Sequence, residues 1–148
     1  MLAYCTYCSA KKTHSEELLP AIDLYKSERI TAVFNLAKTE CRRFLILSGK
    51  LGVIEPYQKI DYYDHLLKPS EVDGHAELVA SQLKEKKISQ LVFFMNSITH
   101  DKNIKPYADC IIKAAAKSQI SIEFRDAPFS DWSVKKCSKT EHHLKFVC

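Results

Sequence analysis

Glycine is scarce in this chain, with three in 148 residues. The loop G-x-x-x-x-G-K-[ST] is absent, which disfavours phosphoryl transfer of the P-loop kind. Apolar runs are short as well: the strongest, Phe44 to Leu47 and Leu91 to Met95, fall far below the roughly 20 residues needed to cross a bilayer. No membrane partner is expected. The N-terminus, Met-Leu-Ala-Tyr-Cys, lacks the basic flank and the apolar stretch of about 7–15 residues that mark a secretory signal, so a cytoplasmic protein is expected. No second C-x-x-C follows Cys5-x-x-Cys8 at finger-like spacing, whereas a structural zinc needs four ligands. Cys5 also falls inside a strand-like run, not at the helix N-terminus a redox pair requires. Neither a metal nor another cofactor is expected. The six cysteines, Cys5, Cys8, Cys41, Cys110, Cys137 and Cys148, are irregularly spaced and are read as reduced thiols.

What is present is ordinary globular material, 46% hydrophobic and 27% charged, consistent with one domain over residues 1–148. The net charge of +4 is unevenly placed: residues 1–75 carry ten Lys+Arg against ten Asp+Glu, and residues 76–148 carry twelve against eight. A basic half can assist contact with phosphate-bearing partners, nucleic acid included. Solvated charge is the ordinary alternative. The segment 131–148 concentrates Lys135, Lys136, Lys139, His142, His143 and Lys145 and is open to both readings.

Periodicity supplies the elements. Leu2 to Tyr7 reads as a strand. Ile30, Val33, Phe34, Ala37 and Cys41 recur at the spacing of one helical face, giving a helix that begins near Ser27. Phe44 to Leu47 is a continuous apolar run, as in a strand covered on both faces. Val72, Ala76, Val79, Ala80 and Leu83 trace a second helix, with Ser70 and Asp73 as a capping-box-like start. Leu91 to Met95 is a third strand, Ile104, Ala108, Ile111, Ile112 and Ala115 a third helix, and Ile120 to Phe124 a fourth strand. Strands alternating with helices predict an α/β fold, three-layer α/β/α, around a mostly parallel central sheet of about four strands in the manner of Rossmann-like domains.

Ligands of such sheets sit outside the carboxyl ends of the strands, where strand order reverses. Two post-strand segments are richest in chemistry. Cys8-Ser9-Ala10-Lys11-Lys12 joins a thiol, a hydroxyl and two ammonium groups, able to present donors to an anion or to make a local turn with solvated lysines. Ser48-Gly49-Lys50-Leu51-Gly52 holds two of the three glycines, allowing close backbone approach to a ligand or a tight turn without one. The loop Tyr57 to Asp64 has the length of a lid or binding loop. Tyr62 and Tyr63 can stack on a planar ring or pack down as a cover, and Asp64 can act as a base.

Four short motifs occur in order: Cys8-Ser9-Ala10-Lys11-Lys12; Pro20-Ala21-x-Asp23-Leu24-Tyr25; Ile46-Leu47-Ser48-Gly49-Lys50-Leu51-Gly52-Val53-Ile54; and Tyr63-Asp64. Over roughly residues 4 to 95 this series resembles an uncharacterised bacterial and phage family, a domain of unknown function with C-S-x-x-K, L-Y, I-L-S-A-K-x-G-L and Y-D motifs. Gly49 and Val53 stand where that family usually carries Ala and Leu. The order of the motifs and the Pro20 to Tyr25 stretch are also distantly similar to the uracil-DNA-glycosylase-like domain of archaeosine synthase. That likeness implies a three-layer fold with a pocket for a nucleobase or nucleoside, and no mechanism.

The function expected is action on a nucleobase, nucleoside or nucleotide, at the N-glycosidic bond or on the base. Asp64 would orient water or stabilise charge on a sugar, Tyr25 and Tyr63 would stack on the base, and Ser9, Lys12, Ser48 and Lys50 would hold phosphate or carbonyl oxygens. Cys8, Lys11, Asp23 and Gly52 complete the expected ligand-binding set. The alternative is a non-catalytic nucleotide- or nucleic-acid-binding module, and a thiol enzyme using Cys8 would need His14 or His100 as its base.

Overall fold

In the computed structural model, which describes residues 1–128, β1 (Leu2–Tyr7) lies at the centre of the sheet and is buried almost throughout. A loop leads to β2 (Leu19–Pro20) and the single turn α1 (Ala21–Leu24). Next comes α2 (Glu28–Thr39), whose first turn is capped by the Ser27 side chain accepting from Ile30 N at 3.1 Å. The predicted helix near Ser27 is thus present, though it stops short of Cys41, which adopts a left-handed φ of 56° beyond its end. A hairpin follows, β3 (Arg43–Ser48) and β4 (Gly52–Ile54), then β5 (Lys59–Ile60), which pairs antiparallel with β2. After them run α3 (Val72–Glu85), β6 (Gln90–Met95), α4 (Lys105–Ser118) and β7 (Ser121–Asp126).

The main sheet has five strands in the order β4-β3-β1-β6-β7. Strands β3, β1, β6 and β7 are parallel, and β4 adds antiparallel to β3. The fold is therefore the expected α/β type, with one more strand than periodicity predicts: Gly52–Ile54 is too short to show a period. Helix α2 packs on β1 and β3, whereas α3 and α4 pack on each other; right-handed crossovers put the two groups on opposite faces of the sheet. The apolar face predicted for α3 is buried at all five positions. That of α4 holds except at Ile112, which is 46% exposed. The start expected at Ser70 moves back to Lys68, whose backbone N–H donates to the Glu71 carboxylate at 2.9 Å ahead of a 3-10 turn over Pro69–Glu71.

Three of the cysteines, Cys5, Cys8 and Cys110, are buried free thiols, and burial pushes Cys110 up to about 12. Cys41 is exposed on the turn past α2, and Cys137 and Cys148 lie outside the described residues. Among the described residues no helix is long and apolar enough to cross a membrane. The basic segment 131–148 lies outside the described residues.

The β3–β4 hairpin depends on Gly52. Its φ is +81°, a region costly for residues with a Cβ, and a Cβ there would overlap the Gln82 carboxamide. That carboxamide accepts from Val53 N at 2.8 Å and donates to Leu51 O at 2.9 Å, pinning the hairpin to α3. Gly52→Ala is expected to cost about 2 kcal/mol or more, adding left-handed strain to the loss of these two bonds. Urea denaturation measures it, and a loss below about 0.5 kcal/mol would contradict this role.

Candidate functional site

From β1 the chain passes through α2 to β3 on one side, and the connection through α3 then brings it back across β1 to β6. Strand order reverses at β1, so a crevice opens past the carboxyl ends of β1 and β6. A cleft of about 1250 Å³ lies there. Its walls are Tyr7 to Lys12 after β1, Tyr25 to Arg29 at the start of α2, Asp64 to Leu66, and residues after β6 from Asn96 to Tyr107. A smaller hollow of about 590 Å³ adjoins it, and both are lined by Asp64 and His65.

The cleft floor is built around Arg29. Its guanidinium enters from the first turn of α2 and donates to Thr6 Oγ1 at 2.7 Å, Tyr7 O at 2.6 Å and Cys8 O at 3.3 Å. It also lies 3.5 Å from the Tyr7 ring centroid. Thr6 Oγ1 in turn donates to Phe94 O at 2.7 Å, and Asn96 N donates to the Tyr7 hydroxyl at 3.4 Å. One buried cation thus ties α2, β1 and β6 together where β1's own ladder ends.

Lys12 is the second buried cation, 8% exposed. It reaches that position because it bridges antiparallel to Tyr25, which folds the loop after β1 back over the cleft. Its ammonium lies 4.7 Å from the Tyr63 ring centroid and 5.9 Å from that of Tyr25, with a long contact to Ala10 O at 3.5 Å. Among the described residues no carboxylate pairs with it. Aromatic faces offset part of the cost of burying a charge, but a buried ammonium without a counter-ion is otherwise unfavourable.

Beneath Lys12 runs a chain of hydroxyls. Tyr25 OH and Tyr63 OH share a hydrogen bond, and Tyr63 OH and Ser48 Oγ another at 2.7 Å. Ser48 Oγ also accepts Lys50 N at 3.1 Å and Leu51 N at 3.0 Å, closing the hairpin turn. Burial raises the Tyr25 and Tyr63 phenols above their usual range, and the neighbouring Cys8 pushes the same way. Both stay neutral at physiological pH, as donors without a role as bases.

The structure gathers Cys8, Ser9, Lys11, Lys12, Tyr25 and Asp64 on the walls of the main cleft. Ser9 turns its hydroxyl onto Lys11 O at 2.8 Å, a local turn bond. Lys50 and Tyr63 border the smaller hollow, with the Lys50 ammonium 5.7 Å from the Tyr63 ring centroid. Tyr25 and Tyr63 are buried edge to face, their centroids 6.3 Å apart, so they brace Lys12 and present no open ring face to a base. Ser48 is fully buried, and Gly52 is enclosed against Gln82. Asp23 is exposed on α1, outside both walls; its backbone carbonyl accepts from Thr13 Oγ1 at 3.3 Å. Asp64 is exposed and unpaired among the described residues.

Arg29 and Tyr107 are among the cleft residues outside the set expected from the sequence. Arg29 sits in a polar first turn, where nothing distinguishes it from a solvated arginine. Tyr107 was legible, since it shares the helical face of Ile104 and Ile111 at i+3 and i+4 spacing. Among the described residues no group of three His, Cys, Asp or Glu side chains is placed to hold a metal ion.

No curated protein matches the chain. The model of a family of unknown function, DUF6884, matches residues 5–124, carrying the likeness of the four motifs past Met95 and across every wall of the cleft, so the chain belongs to that family.

Proposed function

We propose that the cleft binds a nucleobase, nucleoside or nucleotide and that the chain acts on it as an enzyme, at the N-glycosidic bond or on the base. The observation that carries this reading is Lys12, a cation buried without a carboxylate on the wall of a cleft at the topological switch point. A bound anion such as phosphate supplies the missing counter-charge, and the switch point of an open parallel sheet is where nucleotides commonly bind. Lys12 then holds the anion, with Ser9 and Lys11 at the rim. Tyr25, Tyr63 and Ser48 act behind Lys12 by fixing its position. The reaction class comes from the glycosylase-like resemblance of the Pro20 to Tyr25 stretch, and the ligand class from the cleft. Asp64 is a carboxylate of the cleft wall, unpaired among the described residues and free to orient water or to stabilise positive charge on a sugar.

The test is incubation with the four common ribonucleosides and their 5′-monophosphates, following base release or modification by chromatography and binding by calorimetry. Asp64→Asn is expected to lower turnover about 100-fold or more while leaving affinity within about three-fold. Full turnover by Asp64→Asn removes Asp64 from the reaction. Binding without turnover by the wild type favours the non-catalytic module. Absence of any binding overturns both readings.

A further inference from the structure

Tyr107 is 3% exposed and lines the cleft from α4. Its phenol oxygen accepts two hydrogen bonds, from Leu67 N at 3.1 Å and from the Cys8 thiol at 3.6 Å. A phenol oxygen that accepts twice has its own proton left to give. Among the described residues no oxygen or nitrogen accepts that proton, and the Cys8 sulfur at 3.6 Å is only a weak acceptor. Burial, then the nearby Cys8, raises the phenol above its usual range, so the proton stays on oxygen. Gly49 makes room for this arrangement, because a Cβ there would stand 2.8 Å from the Tyr107 oxygen and 3.0 Å from Leu67 N.

Tyr107 and Lys12 line the same cleft, and the Tyr107 oxygen touches Cys8 of the segment that carries Lys12. The Lys12 ammonium lies 5.9 Å from the Tyr25 ring centroid, on the same cleft wall. We propose that the Tyr107 hydroxyl and the Lys12 ammonium form a two-point clamp for one oxyanionic group of the ligand, a phosphate or a carboxylate. The cation supplies the charge and the phenol a directed donor. Backbone and thiol contacts orient that donor before the ligand arrives, so little is lost in ordering it on binding. The clamp rests on the reading of the cleft as a ligand site and adds the group that the site grips.

The experiment is a double-mutant cycle in binding, with Lys12→Met, Tyr107→Phe and the double variant. Calorimetric titration uses adenosine 5′-monophosphate, adenosine, inorganic phosphate and acetate, each to about 10 mM. The clamp requires Tyr107→Phe to bind phosphate or acetate roughly ten-fold more weakly than wild type. It also requires the double variant to lose at least about three-fold less than the product of the single losses. Phosphate and acetate arms separate the two oxyanions. Tyr107→Phe orphans Leu67 N, so Gly49→Ala serves as a second variant: it keeps every hydrogen-bonding group, displaces the phenol oxygen, and is expected to weaken binding about three-fold or more. Tyr107→Phe binding within about two-fold of wild type, with Lys12→Met weakened, overturns the clamp and spares the cleft reading. Tyr107-dependent oxyanion binding that gains nothing from adenosine sustains the clamp and counts against the nucleotide reading. Wild-type protein that binds none of the four probes overturns both.

Discussion

Arg29→Met is expected to lower the free energy of unfolding by about 3–5 kcal/mol, the largest stability effect of any single substitution around the cleft. The substitution keeps an unbranched stem in α2 but removes the donors that serve Thr6 Oγ1, Tyr7 O and Cys8 O. Hydrogen bonds from a charged donor are worth more than neutral ones, and a buried acceptor left without a partner bears its full desolvation cost. The contact of the guanidinium with the Tyr7 ring is lost as well. Part of the loss is returned because a buried guanidinium no longer has to be desolvated. The remainder falls on the central strand, where the loops of the cleft begin. Urea denaturation monitored by circular dichroism measures it, and a loss below about 1 kcal/mol would mean that water replaces the guanidinium at little cost.

Lys12→Met should behave in the opposite way, with ligand affinity falling about 30-fold or more while unfolding free energy stays within about 1 kcal/mol of wild type. Methionine keeps a flexible apolar stem against the Tyr25 and Tyr63 rings. It gives up the attraction between ammonium and ring and removes the penalty of a buried charge without a carboxylate. Those two changes oppose each other in the unliganded protein. With an anion bound, the ammonium faces a counter-charge in a partly enclosed site, and its removal is uncompensated. Calorimetry and thermal denaturation on the same preparations separate the two quantities. A Lys12→Met protein destabilised by about 3 kcal/mol or more would make Lys12 a structural residue and remove the main support for an anion site. A charged group that costs stability where it serves binding is the mark of a functional position.

Arg29 and Lys12 also divide what is legible in one dimension from what is not. One-dimensional pattern carried the alternation of the main strands and helices, because each of the longer elements shows a 3.6-residue stripe or a continuous apolar run long enough to register. It placed a cleft at the exits of the strands, since parallel strands leave their carboxyl ends on one edge of the sheet. It also determined the motif series that marks the family. Tertiary structure alone decided which polar groups face the cleft. Ser48 and Gly52 bound a hairpin turn as rich in donors as the segment of Lys12, yet the antiparallel return of β4 and the Gln82 side chain enclose them. Tyr25 and Tyr63, expected as open stacking surfaces, pack edge to face beneath an ammonium because the segments after α1 and β5 meet under the loop that follows β1. Arg29 and Tyr107 come to the cleft from helices distant from β1 in sequence. Local pattern fixes which residues share a face of an element, whereas burial of a charge or a hydroxyl is fixed by what other elements bring against it, and that is settled only when the chain packs.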